Sequence, residues 1–189
     1  YNKTTKTLVA FPRDAGRIDI PNGIVKIDDY AFYGVYLGTC SKYTMDDTVW
    51  GIGDMLPSSI VEIGDYAFAE SKLGITNFLP LSVTTIGDYA FANSQFYHPF
   101  SNIEKILLGR HGASIGKGAF QNVEFTGEHV TSVMAIGQTI GEDAYSGFQF
   151  SKGTRARLIL DESISEIGAR AFKNTDMIYM PIDISLTSI

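Results

Sequence analysis

The chain has 189 residues, a net charge of −6 and 44% hydrophobic residues. That apolar share argues against a wholly disordered chain, and the acidic balance argues against a nucleic-acid-binding surface, which carries a basic excess. One cysteine, Cys40, excludes a disulfide-stapled scaffold and any multi-cysteine zinc site.

In chain order, a short apolar run is followed each time by the same motif. Arg17-Ile-Asp-Ile-Pro21 precedes Ile24-Val-Lys-Ile27-Asp-Asp-Tyr-Ala31-Phe32. Met55-Leu-Pro57 precedes Ile60-Val-Glu-Ile63-Gly-Asp-Tyr-Ala67-Phe68, and Ile75-Thr-Asn-Phe-Leu-Pro80 precedes Val83-Thr-Thr-Ile86-Gly-Asp-Tyr-Ala90-Phe91. Ile103-Glu-Lys-Ile-Leu-Leu-Gly109, Val130-Thr-Ser-Val-Met-Ala135 and Arg157-Leu-Ile-Leu-Asp161 lead to weaker copies. Those copies centre on Ala119-Phe120, Ala144-Tyr145 and Ala171-Phe172, so the marker alanines advance by 36, 23, 29, 25 and 27 residues. A period in this range belongs to a solenoid whose units cannot bury a core alone.

The apolar runs, short and often ending at Pro or Gly, read as strands. Ile27 and Ala31 lie four apart, which predicts a short helical turn with both on one face. The glycine after the motif isoleucine (Gly64, Gly87, Gly116, Gly141, Gly168) fits a sharp turn into that helix. The acids near its start (Asp29, Asp65, Asp88, Glu142) fit the positive end of a helix. The alanine implies a close approach, with the following Phe or Tyr filling the gap between coils.

These residues resemble the BspA-like leucine-rich repeats of bacterial and protist surface proteins. Ser82-Val-Thr-Thr-Ile-Gly-Asp-Tyr-Ala-Phe91 is nearly a copy of that family's consensus, and the likeness runs from about Arg17 to the end. The resemblance implies a right-handed α/β solenoid, a curved parallel sheet with short helical turns. It also implies a division into an N-terminal strand or cap over 1–16 and a repeat solenoid over 17–189. Thr7-Leu-Val-Ala-Phe-Pro12 looks like the strand that precedes the first repeat in such proteins. The final Leu186-Thr-Ser-Ile189 stops where a further motif would begin, which is read as part of a longer array or an incomplete cap. Tyr1 opens no charged-then-apolar leader, read as a leader removed or a fragment, and no run of about 18 apolar residues predicts a membrane span.

No catalytic constellation, metal site or cofactor motif emerges. His98, His111 and His129 lie in different repeats without partners at ligand spacing. Asp46, Asp47 and Asp54 lack the oxygen ligands of an EF-hand loop, and there is no phosphate-binding loop of the Gly-x-x-x-x-Gly-Lys-Ser/Thr type. Cys40 reads as a small loop residue, and Asn2-Lys-Thr4 matches a glycosylation sequon by pattern. Two aromatic insertions, 33–59 and 96–100, are either partner-binding loops or rings folded back over the coil ends.

The family resemblance implies a non-enzymatic, extracellular cell-surface module for adhesion. Its partner would be a protein, such as a host matrix or plasma glycoprotein, and the alternative is a spacer that presents another domain. Strand alternation puts Ile20, Leu56, Leu79, Leu108 and Leu160 towards the core. It puts Asp19, Met55, Phe78, Leu107 and Ile159 outward, beside a row of Arg17, Gly53, Thr76, Lys105 and Arg157. The predicted contact face is therefore Met55, Phe78, Leu107 and Ile159, flanked by Lys105 and Arg157. The fifth repeat does not fit this register and is left out.

Overall fold

The computed structural model describes residues 1–11, 20–37, 55–74, 79–97, 105–109, 112–126, 132–150, 156–160 and 163–179. Side chains of 37, 105–109, 132–136 and 179 are not described. Among the described residues the strands form three sheets, and every strand-to-strand pairing within them is parallel.

The coil around 105–125 shows the plan. Strand β8 (Lys105–Gly109) runs in a first sheet, β9 (Ser114–Ile115) in a second, and β10 (Glu124–Phe125) in a third. The chain then returns to the first sheet as β11 (Ser132–Ile136), paired in register with β8. Each strand has a counterpart one coil away, which is the parallel-strand solenoid expected from the repeat. The second sheet begins at β1 (Thr7–Leu8), which pairs with β2 (Lys26–Ile27). The opening segment thus supplies the first strand of this sheet.

Alternation sorts each strand. In the second sheet Leu8, Ile27, Ile63, Ile86, Ile115 and Ile140 occupy one row of the register and are all buried. In the third, Leu73, Phe96, Phe125 and Phe150 do the same. Between these sheets the motif rings form a column: Phe11, Phe32, Phe68, Phe91, Phe120, Tyr145 and Phe172. Successive centroids stand 5.1, 4.7, 5.1, 5.1, 5.1 and 5.3 Å apart. From Phe32 onward the rings lie within 7° of parallel. Each such pair adds about 0.5–1.5 kcal/mol beyond the area it buries. Burial pushes the Tyr145 hydroxyl's pKa well above its ordinary value.

The expected helical turn is not formed. The residue before each marker alanine has a left-handed backbone: Tyr30, Tyr66, Tyr89, Gly118, Asp143 and Arg170, with φ between 53° and 58°. The residue three after the alanine is left-handed again, at Gly34, Glu70, Asn93, Asn122, Gly147 and Asn174. A right-handed helix cannot run through such positions. Alternate backbone donors go instead to the next coil, and those between them close single local turns, as Tyr33 N–H does on the Tyr30 carbonyl at 3.1 Å. The amides of Phe32, Phe68, Phe91, Phe120 and Tyr145 each donate to the carbonyl of the following marker alanine at 2.7 Å.

The motif glycine and acid therefore have other causes. None of the five glycines has a positive φ. A Cβ on Gly87 would lie 2.7 Å from the carbonyl carbon of Gly64, and one on Gly116, Gly141 or Gly168 would lie 2.6 Å from that of the preceding motif glycine. Glycine is required by coil-to-coil approach. Asp28 takes the glycine's place in the first motif, where the neighbouring coil is the β1 segment and no earlier motif turn packs against it. The acids accept backbone bonds. Asp29 Oδ1 accepts from the Asp65 amide at 2.9 Å, Asp65 Oδ1 from Asp88 at 2.7 Å, and Asp88 Oδ1 from Lys117 at 2.8 Å.

A buried serine ladder runs behind the rings. Ser71 Oγ donates to the Phe32 carbonyl and Ser94 Oγ to that of Phe68, both at 2.7 Å. The same hydroxyls accept from the Val35 and Ser71 amides. Buried polar groups are tolerated when partnered in this way.

Candidate binding face

The first sheet contains four of the six residues predicted for a contact face: Lys105, Leu107, Arg157 and Ile159. Its strands are β8, β11, β14 (Arg157–Leu160) and β16 (Ile178–Tyr179). In β14, Leu158 and Leu160 are buried, Ile159 is half-buried and Arg157 is exposed. That alternation places Arg157 and Ile159 on the outward side, as the sequence register predicts. Ile20 and Leu56 are buried in the core with Leu160, and Leu79 packs half-buried against it.

Backbone pairing gives Ile159 and Arg157 register partners in the neighbouring coils. Leu107, Met134 and Ile159 are register partners, as are Lys105, Ser132, Arg157 and Ile178. The fifth coil does fit. Ile136 pairs with Gly109, so only the link to the motif isoleucine is shorter there, and the strand itself keeps phase. Sequence alignment from the motif backwards missed Met134 for this reason.

Met55 departs from expectation. It is half-buried and packs against the core instead of lying free on a strand, so a core contact outweighs exposure there. Phe78 lies outside the described residues, as do Asp19, Arg17, Gly53, Thr76, Cys40, the three histidines and the acids of the first insertion. Of the aromatic insertions, Phe96 is fully buried and meets Phe91 edge-on, with centroids 5.9 Å apart. Tyr97, Tyr33 and Tyr36 are exposed.

The other sheets present polar outward rows. The second shows Lys26, Glu62, Thr85, Ser114, Thr139 and Glu166, with Lys26 Nζ 2.7 Å from Glu62 Oε1. The third shows Tyr36, Lys72, Gln95, Glu124 and Gln149. Towards the C-terminal coils an ion-pair cluster lies on the surface. Glu142 pairs with Lys117 Nζ at 3.0 Å and with Arg170, which also reaches Asp143 at 2.8 Å. Hydrogen bonds from Lys117 and Arg170 hold the Glu142 carboxyl below its usual range, and Arg170 does the same for Asp143.

Sequence reasoning also missed a ladder of tyrosines at the surface, of which Tyr30 is exposed and Tyr66 and Tyr89 are half-buried. Tyr30 and Tyr66 stack with centroids 5.0 Å apart and planes 5° from parallel, and Tyr66 and Tyr89 follow at 5.1 Å and 17°. Its signal was the tripeptide Asp-Tyr-Ala, repeated three times at one repeat position.

A family model described as the BspA-type leucine-rich repeat region, in six copies, matches residues 14–149 and 113–189. The chain belongs to this family. No curated protein and no solved structure matches it significantly. Repeats of the BspA type are generally surface-associated modules, and leucine-rich repeats are generally non-catalytic mediators of protein interactions. Among the described residues no helix is long and apolar enough to cross a membrane. Among the same residues no three His, Cys, Asp or Glu side chains are grouped to hold a metal ion.

Proposed function

We propose that this BspA-type solenoid is a non-enzymatic, extracellular adhesion module that binds a protein partner through the outward rows of its first sheet. The unit proposed to do this is the repeat region over 17–189, with residues 1–16 as its cap. The observation that carries the reading is the apolar register row of Leu107, Met134 and Ile159 beside the row holding Lys105 and Arg157. The outward rows of the other two sheets are mostly polar. An apolar strip edged by cations is the composition of a protein contact surface, where an apolar centre excludes water and charge at the rim orients the partner. Phe78 is proposed to extend the strip at an earlier coil. A basic edge on an acidic protein favours an acidic partner surface, as on matrix or plasma glycoproteins.

The test is binding of the purified chain to a panel of immobilised matrix and plasma glycoproteins. Ile159→Ser combined with Arg157→Glu should abolish capture while circular dichroism stays that of the parent. Unchanged capture by the folded variant overturns the assigned face. Absence of capture across the panel by the parent leaves the spacer reading in its place.

A further inference from the structure

The stacked tyrosines lie on a different surface, at the turn between the second and third sheets. Tyr30 is 57% exposed, Tyr33 packs tilted against it at 5.8 Å, and Tyr66 and Tyr89 are half-buried. Near-parallel rings with centroids about 5 Å apart form an offset stack, in which the rim of a ring's face extends past its neighbour; Tyr66 has a ring on either side, and Tyr89 lies between Tyr66 and Gly118. The residue before each ladder tyrosine is an exposed aspartate: Asp29, Asp65 and Asp88. Their backbone bonds use Oδ1. The strip has a defined end. At the next coil Lys117 stands in the aspartate's place and Gly118 in the tyrosine's. A Cβ on Gly118 would lie 2.6 Å from Tyr89 Cδ1, so the last ring lies against the bare backbone there.

We propose that the Asp29-Tyr30, Asp65-Tyr66 and Asp88-Tyr89 steps form a second binding site, which takes an arginine-rich segment of a protein partner. Each step offers the two features a guanidinium uses together. A ring face accepts its planar cation, and an adjacent carboxylate accepts its paired N–H donors. An ammonium is compact and strongly hydrated and gains less from the ring. The field at the strip is negative. Tyr66 is held in its neutral form by partial burial first, and then by Tyr30, Tyr89, Asp65 and Asp88 around it. Two basic groups lie nearby and both are already paired: Lys26 with Glu62, where it also feels Asp29 and Asp28, and Lys117 beside Tyr89 with Glu142. A neutral glycan would stack on such rings but would gain little from three regularly placed charges.

The test uses the full chain and three probes: a synthetic peptide alternating arginine and glycine, its lysine counterpart, and a β-linked glucan oligosaccharide. The arginine peptide should bind best, with affinity falling as salt rises. Tyr66→Ser with Tyr89→Ser should weaken it roughly tenfold, the effect of losing two cation–π contacts. Tyr66→Phe with Tyr89→Phe should retain binding, because the ring and not the hydroxyl is used. Asp65→Asn with Asp88→Asn keeps an oxygen for the backbone ladder and removes the charge, so it should weaken binding and flatten the salt dependence. Ile159→Ser with Arg157→Glu should leave the arginine peptide unaffected, which separates this site from the face proposed above. Equal affinity for the lysine peptide overturns the proposal, as does glucan binding that the serine pair abolishes. Parental affinity in the folded serine pair also overturns it. If the serine pair fails to fold, parental affinity in the asparagine pair does so instead.

Discussion

A methyl group at Gly116 would stand 2.6 Å from the carbonyl carbon of Gly87, which is backbone and cannot swing aside. Gly116→Ala must push two coils apart. Overpacking of this kind costs about 1–3 kcal/mol, occasionally more, and in a chain of this size each kcal/mol lowers the melting temperature by about 2–4 °C. Thermal unfolding of Gly116→Ala should therefore begin several degrees early. Asp28→Ala, at the same motif position but with no earlier motif turn against it, should melt within about a degree or two of the parent, as ordinary surface changes do. Equal melting of the two variants would mean that coil contact is not what selects glycine. Ala90 makes a matching demand from inside. It is fully buried beside the ring column, so Ala90→Leu should cost about 1–3 kcal/mol. A melting curve that overlays the parent's would contradict the packing described here.

At the scale of the turn, the residues that shape the chain were only half legible in its sequence. Ile, Ala and Phe at fixed spacing were read correctly as buried, because burial depends on side-chain type and every copy repeats it. The helix was read wrongly, because a four-residue separation fits a helical turn and equally a strand followed by a left-handed corner. Glycine marks that corner in one copy, at Gly118; Tyr30, Tyr66, Tyr89, Asp143 and Arg170 stand there in the others, and the tyrosines and the arginine give no local sign of positive φ. What permits them is the adjacent coil, whose carbonyls take the corner's amides, and no window of one repeat contains that coil. The strand register was legible where the link to the motif isoleucine kept its length and lost at the fifth coil, where the link to Ile140 is short. The ion-pair cluster acts at this same scale. Glu142 and Asp143 have lowered folded values, so their favourable pairing is complete above the ordinary carboxylate range and is lost as pH falls through those lowered values. Arg170→Gln should lower the melting temperature slightly at neutral pH, the effect being small for exposed pairs, and the gap from the parent should close in acid. A gap that stays constant as pH falls from neutral far into acid would assign the effect to packing.

Across the whole molecule, each coil is held by the coil on either side of it, so stability is a sum of neighbour terms. The amides of Phe32, Phe68, Phe91, Phe120 and Tyr145 make chemically identical bonds of 2.7 Å and so report position alone. Native-state hydrogen exchange should show the greatest protection at Phe68 and Phe91 and a decline towards Phe32 and Tyr145. Uniform protection along the series would indicate one all-or-none unit. The glycine contact gives the array a further property. Gly116 touches Gly87 as Gly141 touches Gly116 and Gly168 touches Gly141, so one coil's surface meets a replica of itself. The 36-residue step from Ala31 to Ala67 pairs Lys26 with Glu62 in the same phase as the 23-residue step that follows. Length between contacts is therefore free to drift, whereas phase is not. A gene that gained or lost one whole coil by slipped recombination would meet no new junction in its product, so reach can be inherited as a count, with no second surface to invent.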